Sequence, residues 1–453
     1  MKGRLTKPMQ RTKELTGIWR AAIAAVDPSA AVQKALQLRN GRLIAAERQD
    51  DLAAFQRVLV IGAGKATAAM AEAVEILLGG RISDGLIIVK HGHAGKLGRI
   101  EQVEAGHPIP DTAGVEGTAR ILELAERADE RTLVLCLLSC GGSSLLVAPA
   151  DGIRLEDKQN ATNLLLRAGA SIDELNAVRK HLSAVKGGLL ARKIAPAPLI
   201  TLILSDVLGD RLDVIASGPT VPDPSTFRQA WEVIGKYGLA DAVPVAVRNR
   251  LMRGISGFVP ETPKEGEACF GKARAIIVGG LSQAMEAARE EAGRQGFLPE
   301  IVTTELRGDV REAAKFLAQA ARKSREALKP GERRCLLSGG ETTVRVAGSG
   351  KGGRNQELAL AFAAEIAGVP GIALLSSGTD GTDGPTDAAG AFVDGETIRQ
   401  GREHGLDADA FLADNDSYRY LQRLDAASGG QAHFKPGPTG TNVMDLQIII
   451  IEK

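Results

Sequence analysis

The chain has 453 residues, of which 44% are apolar and 25% are charged. Single hydrophobic cores stop growing at about 250–300 residues, so this length predicts two domains. The 56 Lys and Arg residues against 55 Asp and Glu residues give a net charge of +1, and only 3% of the residues are aromatic. This balance excludes a protein-wide positive potential that would attract nucleic acid or an anionic membrane. The small number of aromatic side chains argues against a surface that stacks on nucleic-acid bases.

The cysteines and the first residues indicate where the protein resides. The four cysteines contain no C-x-x-C pair and lie mostly in apolar runs, which is typical of buried thiols in a reducing compartment. The first residues, MKGRLTKPMQRTKELTGIW, are basic but lack the apolar core of a signal peptide. No run of about 18 apolar residues occurs anywhere. We therefore expect a cytoplasmic protein without a membrane anchor.

The predicted elements begin with helices and continue as alternating strands and helices. Apolar residues at helical spacing predict helices over residues 13–50. Short β-branched runs then alternate with helical segments, which is typical of βαβ units and a mostly parallel sheet covered on both faces. One helix is predicted over LNAVRKHLSAVKGGLLARKI (175–194). The predicted strands lie in RVLVIGAG, DGLIIVKHG, TLVLCLLSCGG and APLITLILSD.

A weaker stretch from Arg248 to Gly271 is rich in Pro, Gly and Glu, and we interpret it as the region between two domains. We therefore predict an α/β protein with domains at residues 1–250 and 251–453. A second strand-and-helix series follows this stretch and echoes the first in the same order, which leaves an internal duplication open.

The run VLVIGAGKAT resembles a dinucleotide-binding turn, but Thr67 stands where the third glycine of G-x-G-x-x-G would be. The next strand ends in Lys90 and His91, with no carboxylate for a ribose, so a NAD site is poorly supported. Gly64 and Lys65, at the predicted start of a helix, suit a phosphate instead, because the helix dipole attracts it and the ammonium can meet it. A solvated lysine in the first helical turn is the alternative.

Two similar runs, SCGGSS (139–144) and SGGETT (338–343), place paired glycines and hydroxyls after an apolar run. We expect a strand-to-helix turn at both, where the glycine backbone could form a nest of N–H groups for an anion. Helix capping explains the hydroxyls but not the paired glycines. The candidate phosphate-binding residues are Gly141, Gly142, Ser143, Ser144, Gly339, Gly340, Glu341 and Thr342.

The loop GKGGRNQELALAF (350–362) leads into a predicted amphipathic helix with Arg354 at its start. A cation at a helix N-terminus opposes the dipole, so the position needs another reason. Bidentate binding of a phosphate or a carboxylate supplies one, and an exposed arginine is the alternative.

Aspartates follow two further predicted strands. Ligands of a parallel sheet usually bind at the carboxyl ends of its strands, so these carboxylates lie where a ligand is expected. One or two carboxylates with substrate phosphates are the usual ligands of Mg²⁺, although turns and caps also use Asp beside Gly. His107 and His181 lack zinc spacing, and the G-x-S-x-G and H-E-x-x-H motifs are absent. The candidate carboxylates are Asp206, Asp210, Asp380, Asp383 and Asp387.

Taken together, these motifs resemble the class II glycerate kinases, the glycerate 2-kinase family with a C-terminal MOFRL domain. Some members of that family carry the name hydroxypyruvate reductase. The resemblance covers about residues 13–450 in family order. The runs that carry it are VIGAGKA, AGHPIPD, LLSCGGSSLL, LNAVRKHLSAVKGGLLA, LSDVLGDRLDVIASGPTVPDPST, LSGGETTVRV, GKGGRNQELAL, SSGTDGTDGPTDAAGAFVD, LADNDSY and GPTGTNVMDL.

The resemblance implies two α/β/α domains with mostly parallel sheets and an active site in the cleft between them. The first would be Rossmann-like, and the second would contain the MOFRL region at about 331–450. The implied reaction transfers the γ-phosphoryl group of ATP to the 2-hydroxyl of D-glycerate with Mg²⁺, and the family's active-site lysine and arginine fall on Lys65 and Arg354. Cys140 is a departure, because the family more often has glycine there.

The residues agree with this chemistry, since phosphoryl transfer needs in-line positioning and positive charge more than covalent machinery. Lys65, Arg354 and a magnesium ion on Asp206 or Asp383 would supply that charge. A strand-end aspartate would accept the hydroxyl proton, and we assign Asp206 to the catalytic set.

The carboxylate of D-glycerate needs a cation of its own. Arg179 and Lys180, in the run NAVRKHL, are the substrate-binding candidates beside Arg354.

Two other functions remain open at this point. One is an NAD(P)H-dependent hydroxypyruvate reductase, and the other is a non-catalytic protein that senses a sugar acid. The sequence also leaves open 2- or 3-phosphoglycerate as the product, preference for another sugar acid, and the oligomeric state, a homodimer included.

Overall fold

The computed structural model describes residues 7–453, which form two compact units. The central unit is Pro28–Val278, and the terminal unit combines residues 7–27 with Gly279–Lys453. The α/β class that the sequence predicts is confirmed. No helix among the described residues is long and apolar enough to cross a membrane.

The first fifty residues are not all helical, contrary to the prediction. Helices α1 (Lys7–Ala25) and α2 (Pro28–Ala35) are followed by an antiparallel three-stranded meander. Its first turn is Asn40-Gly41, with φ values of +50° and +78°. Asn-Gly is a strong signal for a two-residue hairpin turn, and it overrides the helical spacing of the flanking apolar residues. The strands are β1 (Leu36–Arg39), β2 (Arg42–Ala45) and β3 (Arg48–Asp51).

The main sheet of the central unit has the predicted parallel form. Its strands are β4 (Arg57–Ala63), β5 (Asp84–Lys90), β6 (Glu101–Ala105), β7 (Thr132–Leu138), β8 (Leu199–Leu204) and β9 (Ala273–Gly279). They lie in the order β6-β5-β4-β7-β8-β9, and the pairings from β6 to β8 are parallel. Strands β7 and β8 are buried along their whole length, which explains their continuous apolar composition.

Nine helices belong to the central unit besides the short 3₁₀ turns. The predicted long helix over 175–194 is two helices, α7 and α8, because Gly187 and Gly188 between them have φ values of +59° and +81°. The helices are α2, already given, and α3 (Thr67–Leu78), α4 (Thr112–Glu126), α5 (Gly142–Leu145), α6 (Leu155–Arg167), α7 (Ile172–His181), α8 (Leu189–Ile194), α9 (Phe227–Lys236) and α10 (Val245–Ile255).

The stretch predicted to separate the domains is built into the central unit instead. Leu251 of α10 is fully buried, the Glu261 carboxylate accepts hydrogen bonds from His181 Nε2 and the Phe227 N–H, and β9 then forms the edge of the sheet. The boundary therefore lies at 278/279 rather than 250/251. The polar composition of residues 248–271 reflects partly exposed ion pairs and turns rather than a linker.

The sheet of the terminal unit differs from the predicted mostly parallel form. Its strands are β10 (Leu298–Asp309), β11 (Arg333–Thr343), β12 (Ile372–Gly378), β13 (Gly390–Asp394), β14 (His433–Phe434) and β15 (Asp445–Glu452). The order is β10-β11-β15-β12-β13-β14, and only β10 and β11 pair in parallel. The C-terminal strand β15 is inserted antiparallel at the centre and is buried on both faces, so its apolar run looks like that of a parallel strand. The two sheets do not repeat one topology.

Helix α1 packs on α11, and the remaining helices of the terminal unit cover its sheet. Helix α13 is buried on all sides from Asn355 to Ala363 rather than amphipathic as predicted. The helices are α11 (Leu281–Arg294), α12 (Val310–Ala327), α13 (Arg354–Glu365), α14 (Thr397–Glu403), α15 (Ala408–Ala413) and α16 (Ser417–Ser428).

Candidate functional site

Two turns at the carboxyl end of the central sheet are joined by Ser139. Its Oγ accepts a hydrogen bond from the Ala66 N–H at 3.1 Å and lies 3.0 Å from Thr67 Oγ1. A Cβ on Gly64, where φ is +147°, would overlap this Oγ, and the Gly64 N–H already donates to Ile88 O at 3.1 Å. Gly64 is therefore explained by close packing, and its N–H is not available for the phosphate contact predicted from the sequence.

Lys65 stands at the start of α3, as predicted. Its N–H donates to Cys140 O at 2.8 Å, and its Cγ would lie 3.5 Å from a Cβ on Gly141. The Lys65 side chain forms no ion pair with any residue that the structure describes. Burial, and after it the charge of Lys65, lower the pKa of His107 to about 4. The Lys65 side chain therefore packs against the turn between β7 and α5, with no ion-pair partner among the described residues.

That turn, Ser139–Ser144, forms only part of the predicted nest. Gly141 has φ +82°, the left-handed conformation that favours glycine. The Gly142 N–H donates to Ser139 O at 3.0 Å and the Ser144 N–H to Gly141 O at 3.1 Å, so both are used inside the turn. Within residues 7–453, the N–H groups of Gly141 and Ser143 have no partner. An anion contact at this turn is therefore limited to these two groups and the hydroxyls.

A cavity of about 360 Å³ opens beside this turn and is lined by Gly141, Ser143 and Ser144 together with three cationic side chains. We call it the basic cavity. Its cations are Lys158 of α6, Arg179 of α7 and Lys186 of the loop before α8, and no Asp or Glu lines it. The cavity therefore concentrates positive charge that its own lining does not neutralise.

The two lysines are held by oxygen atoms that carry no full charge. Lys158 Nζ donates to Leu182 O at 2.9 Å, and Lys186 Nζ donates to Ser143 O at 2.6 Å. Burial, together with neighbouring cations, lowers the pKa of Lys158 to about 7 and that of Lys186 well below its usual range. Burial also lowers the pKa of Arg179. Cations that are buried without an acidic partner show shifts in this direction.

The two predicted substrate-binding residues separate. Arg179 lines the basic cavity, whereas Lys180 is buried elsewhere, with its Nζ 3.0 Å from Asp223 Oδ1 and 3.9 Å from Asp213 Oδ2. Successive residues on an α-helix point about 100° apart, so neighbours in sequence face different surroundings. The Lys180 prediction is corrected, because its charge is already neutralised by a structural ion pair.

Asp206 follows β8 and lies near the turn. Burial raises its pKa, whereas a hydrogen bond from the Cys140 thiol and the charge of Lys65 act in the opposite direction, and the net shift is upward. Cys140, the position that departs from the family pattern, is therefore a hydrogen-bond donor to a predicted catalytic carboxylate. A carboxylate with a raised pKa is a better proton acceptor than an ordinary one.

In the terminal unit, Arg354 begins α13 and its charge is paired. Its Nε and Nη2 bind Asp445 at 2.5 and 2.9 Å, and its Nη1 lies 2.9 Å from Glu341 Oε1. Burial lowers the pKa of Arg354, but the two carboxylates outweigh it and the net shift is upward. The guanidinium group that was predicted to bind a phosphate or carboxylate of a ligand thus binds the carboxylate of Asp445 in the structure.

Asp383 caps α13 and does not fit the predicted metal ligand. Its Oδ1 accepts from the Asn355 N–H at 3.0 Å and its Oδ2 from the Gln356 N–H at 2.9 Å. A Cβ on Gly353, the residue before the helix, would overlap this carboxylate. Burial raises the pKa of Asp383 to about 6. Both carboxylate oxygens are therefore occupied by the helix N-terminus.

The run 338–343 is not the strand-to-helix turn that its likeness to 139–144 predicts. Strand β11 continues to Thr343, and Gly339 and Gly340 pair with Leu446 and Asp445. A Cβ on Gly340 would overlap Leu306 O of β10. These glycines permit close strand contact, so the nest predicted over Gly339, Gly340, Glu341 and Thr342 is not formed.

The magnesium ion predicted from the sequence stays a prediction. The structure of residues 7–453 contains no group of three or more His, Cys, Asp or Glu side chains that could hold a metal. Mg²⁺ bound with nucleotide phosphates needs only one or two carboxylates, a requirement that Asp206 fits. Asp387, by contrast, pairs with Tyr418 and Lys435.

Sequence reasoning missed Lys158, Lys186 and Asp445. Lys158 lies in the polar run LEDKQN of a helix, where a lysine gives no sign of burial. Lys186 precedes Gly187 and Gly188. A lysine next to glycine was also the pattern that pointed to Lys65. Asp445 opens the apolar run of β15, and a carboxylate at the edge of a buried strand was the available sign.

Comparisons with known proteins show the family of the chain. Two family models match the chain, the domain of unknown function DUF4147 over residues 14–252 and the MOFRL family over residues 334–445. The D-glycerate 2-kinase of Thermotoga maritima is 42% identical over 96% of this chain and 97% of its own. The glycerate 2-kinase of Pyrococcus horikoshii is 41% identical over 95% of each chain.

A solved structure shares the whole fold. The crystal structure of glycerate kinase from Thermotoga maritima superposes with a TM-score of 0.83 at 41% identity and covers 98% of this chain and all of its own.

Proposed function

The chain belongs to the glycerate 2-kinase family that combines DUF4147 and MOFRL segments, and from this membership we propose that it transfers the γ-phosphoryl group of ATP to D-glycerate. The observation that supports this most is the basic cavity beside Lys65 and the turn Ser139–Ser144. A small acid and a phosphoryl group both need positive charge, and a phosphoryl-transfer site needs the two to be adjacent.

The reaction is a displacement at phosphorus. The 2-hydroxyl oxygen of D-glycerate forms a bond to the γ-phosphorus, the bond from that phosphorus to the bridging oxygen breaks, and ADP leaves with the electron pair. The hydroxyl proton passes to the Asp206 carboxylate, which its raised pKa prepares to accept it. The product is 2-phosphoglycerate.

Lys65 stabilises the charge that develops on the transferred oxygens. Its ammonium is at the start of α3 and has no carboxylate partner among the described side chains, so its charge is available for the transition state. The N–H groups of Gly141 and Ser143 add donors at the same turn. A magnesium ion bound by the nucleotide phosphates would supply further positive charge, and Asp206 keeps the role of proton acceptor, because a carboxylate bound to a divalent cation is a weaker base.

Arg354 has a structural role in addition to the catalytic role that the family resemblance implies. Two carboxylates already neutralise it, so we assign it to ordering the start of α13 and β15 as well as to catalysis. A cytoplasmic location and a homodimer remain predictions.

The decisive experiment is ³¹P NMR of the purified protein with ATP, Mg²⁺ and D-glycerate. A phosphomonoester coupled to the proton at C2 establishes both the reaction and its position, and a signal coupled to the C3 protons would assign the product as 3-phosphoglycerate. Absence of any new phosphomonoester would refute the proposal.

The two other functions are tested in parallel. Rapid oxidation of NADH or NADPH with hydroxypyruvate would support a reductase. Binding of D-glycerate without ADP formation would support a sensing protein.

A further inference from the structure

We propose that the basic cavity is the subsite for the carboxylate of the acceptor, with Lys158, Arg179 and Lys186 as the residues that select a small hydroxy acid over a neutral alcohol. This inference rests on the proposed function and adds two lysines to its site. The substrate class it assigns is a short 2-hydroxycarboxylate.

The first argument is charge balance. Three cations line the cavity without an acidic side chain, and the two lysines are at most 7% exposed. Carbonyl oxygens orient the ammonium groups but cannot neutralise them, and burying an unpaired charge is costly. An anionic ligand completes the site.

The second argument is the contrast with a neighbouring lysine. Lys180 is as deeply buried as Lys186, and the fold gives it Asp223 at 3.0 Å, a carboxylate that itself accepts from Thr262 Oγ1 and Ser225 Oγ. This chain therefore neutralises a buried lysine whose role is structural. Lys158 and Lys186 lack that neutralisation, which distinguishes them as ligand-binding cations.

The third argument is shape. The cavity, at about 360 Å³, is near the lower end of the 300–1,000 Å³ typical of ligand pockets. Pro108, Ile109, Val147 and Leu166 are apolar residues that also line the cavity. The carbonyl oxygen of Arg179 accepts from Lys158 Nζ, but its guanidinium group donates to no side chain or carbonyl among the described residues, so this planar group is available for a bidentate carboxylate.

The fourth argument is position. Ser143 lines the cavity and also accepts from Lys186 Nζ through its carbonyl oxygen, while its Oγ lies 2.8 Å from Ser217 Oγ. Ser217 donates in turn to Asn176 Oδ1 at 2.9 Å. This chain of hydrogen bonds fixes Lys186 against the turn where Lys65 stands. A carboxylate held by the three cations therefore places the rest of a short acid at that turn.

Steady-state kinetics of Arg179→Gln tests the inference. We expect the KM for D-glycerate to rise on the order of 10- to 100-fold, as the loss of hydrogen bonds to a charged group requires, with the KM for ATP unchanged. Arg167→Gln is the matched control, since Arg167 is exposed on α6 and does not line the cavity. Lys158→Met is expected to act in the same direction as Arg179→Gln, and its thermal melt verifies that it folds.

Two results would overturn the inference. A rise in the KM for ATP without a rise for D-glycerate would assign the cavity to nucleotide phosphates. Unchanged constants in folded Arg179→Gln would show that the cavity does not bind substrate.

Calorimetry of D-glycerate binding without ATP separates this inference from the proposed function. If the wild type binds D-glycerate, Arg179→Gln weakens it and no phosphorylation occurs, the kinase proposal fails and the cavity assignment stands. If phosphorylation occurs but Arg179→Gln binds D-glycerate as the wild type does, the kinase proposal stands and the cavity assignment fails. Lactate should displace D-glycerate and glycerol should not; displacement by glycerol would contradict selection by charge.

Discussion

Arg354 and Asp445 form a bidentate ion pair, with Nε–Oδ2 at 2.5 Å and Nη2–Oδ1 at 2.9 Å, that joins the first residue of α13 to the first residue of β15. Asp445 is 1% exposed, so Arg354→Ala leaves a buried carboxylate without its partner. We expect a loss of about 2–3 kcal/mol in the free energy of unfolding, below the full value for a buried pair because the Arg354 side chain is a third exposed. Urea denaturation measures it.

The double variant Arg354→Ala with Asp445→Asn is the control for this prediction. Removing both charges should recover part of the stability lost by Arg354→Ala alone, because the buried charge is then absent. Purely additive losses would contradict an energetic coupling between the two residues. If the double variant recovers stability but not kcat, Arg354 also acts in the reaction.

Asp383 replaces the side-chain cap that Gly353 cannot provide. Asp383→Ala removes the acceptor for two N–H groups at the start of α13 and should lower the free energy of unfolding by about 1–2 kcal/mol. The thermal melt is measured in EDTA, where a residue that acts only as a metal ligand has no effect. Asp387→Ala, in the same loop but exposed, is the control and should change the melt less. Equal melts for wild type and Asp383→Ala would refute the capping role.

Lys65→Ala is expected to lower kcat by a factor on the order of 10²–10⁴ while leaving the thermal melt unchanged. The lower kcat and the unchanged melt have the same reason, because the ammonium has no ion-pair partner among the described side chains and its charge serves the reaction. Lys96→Ala, an exposed lysine on the loop after β5, controls for a change in net charge. Full activity in Lys65→Ala, or a large loss of stability, would contradict the assignment.

The sequence predicted the central unit better than the terminal one, and the reason is the direction of strands. The parallel strands β7 and β8 belong to a series in which short strands alternate with longer helices. This alternation along the chain indicates that neighbouring strands run in the same direction. Strand β15 has the same apolar composition, but composition does not encode whether a buried strand runs parallel or antiparallel to its neighbours. The position of β15 at the centre of its sheet depends on contacts more than a hundred residues away in sequence.

The same limit decides which site residues could be predicted. Lys65 and Gly141 were found because glycine at a strand end with a nearby cation reports a backbone conformation, which is local. Asp383 was assigned to a metal because an aspartate beside glycine serves a metal site and a helix cap with one local pattern. Lys158 could not be found, since only the packing of α6 against the residues after α7 buries its ammonium.

The basic cavity also predicts how stability depends on pH. The folded pKa of Lys158, about 7, is below its unfolded value of 10.5, so between these values the unfolded chain binds more protons and stability rises with pH. Lys158→Met removes this term. The unfolding free energy of the wild type minus that of Lys158→Met should therefore become more positive from pH 7 toward pH 10, by at most about 1.4 kcal/mol per pH unit.

Urea denaturation of both proteins across this range measures the difference, and Arg167→Gln, which should track the wild type, is the control. Lys186 remains in both proteins, but because the charge of Lys158 is one cause of its lowered pKa, its own titration also shifts in the variant. Saturating D-glycerate should flatten the dependence, because a bound carboxylate favours the charged lysine and raises its pKa toward the unfolded value. A difference that stays constant with pH would mean that Lys158 remains charged in the folded protein, and the cavity would then already contain its neutralising partner.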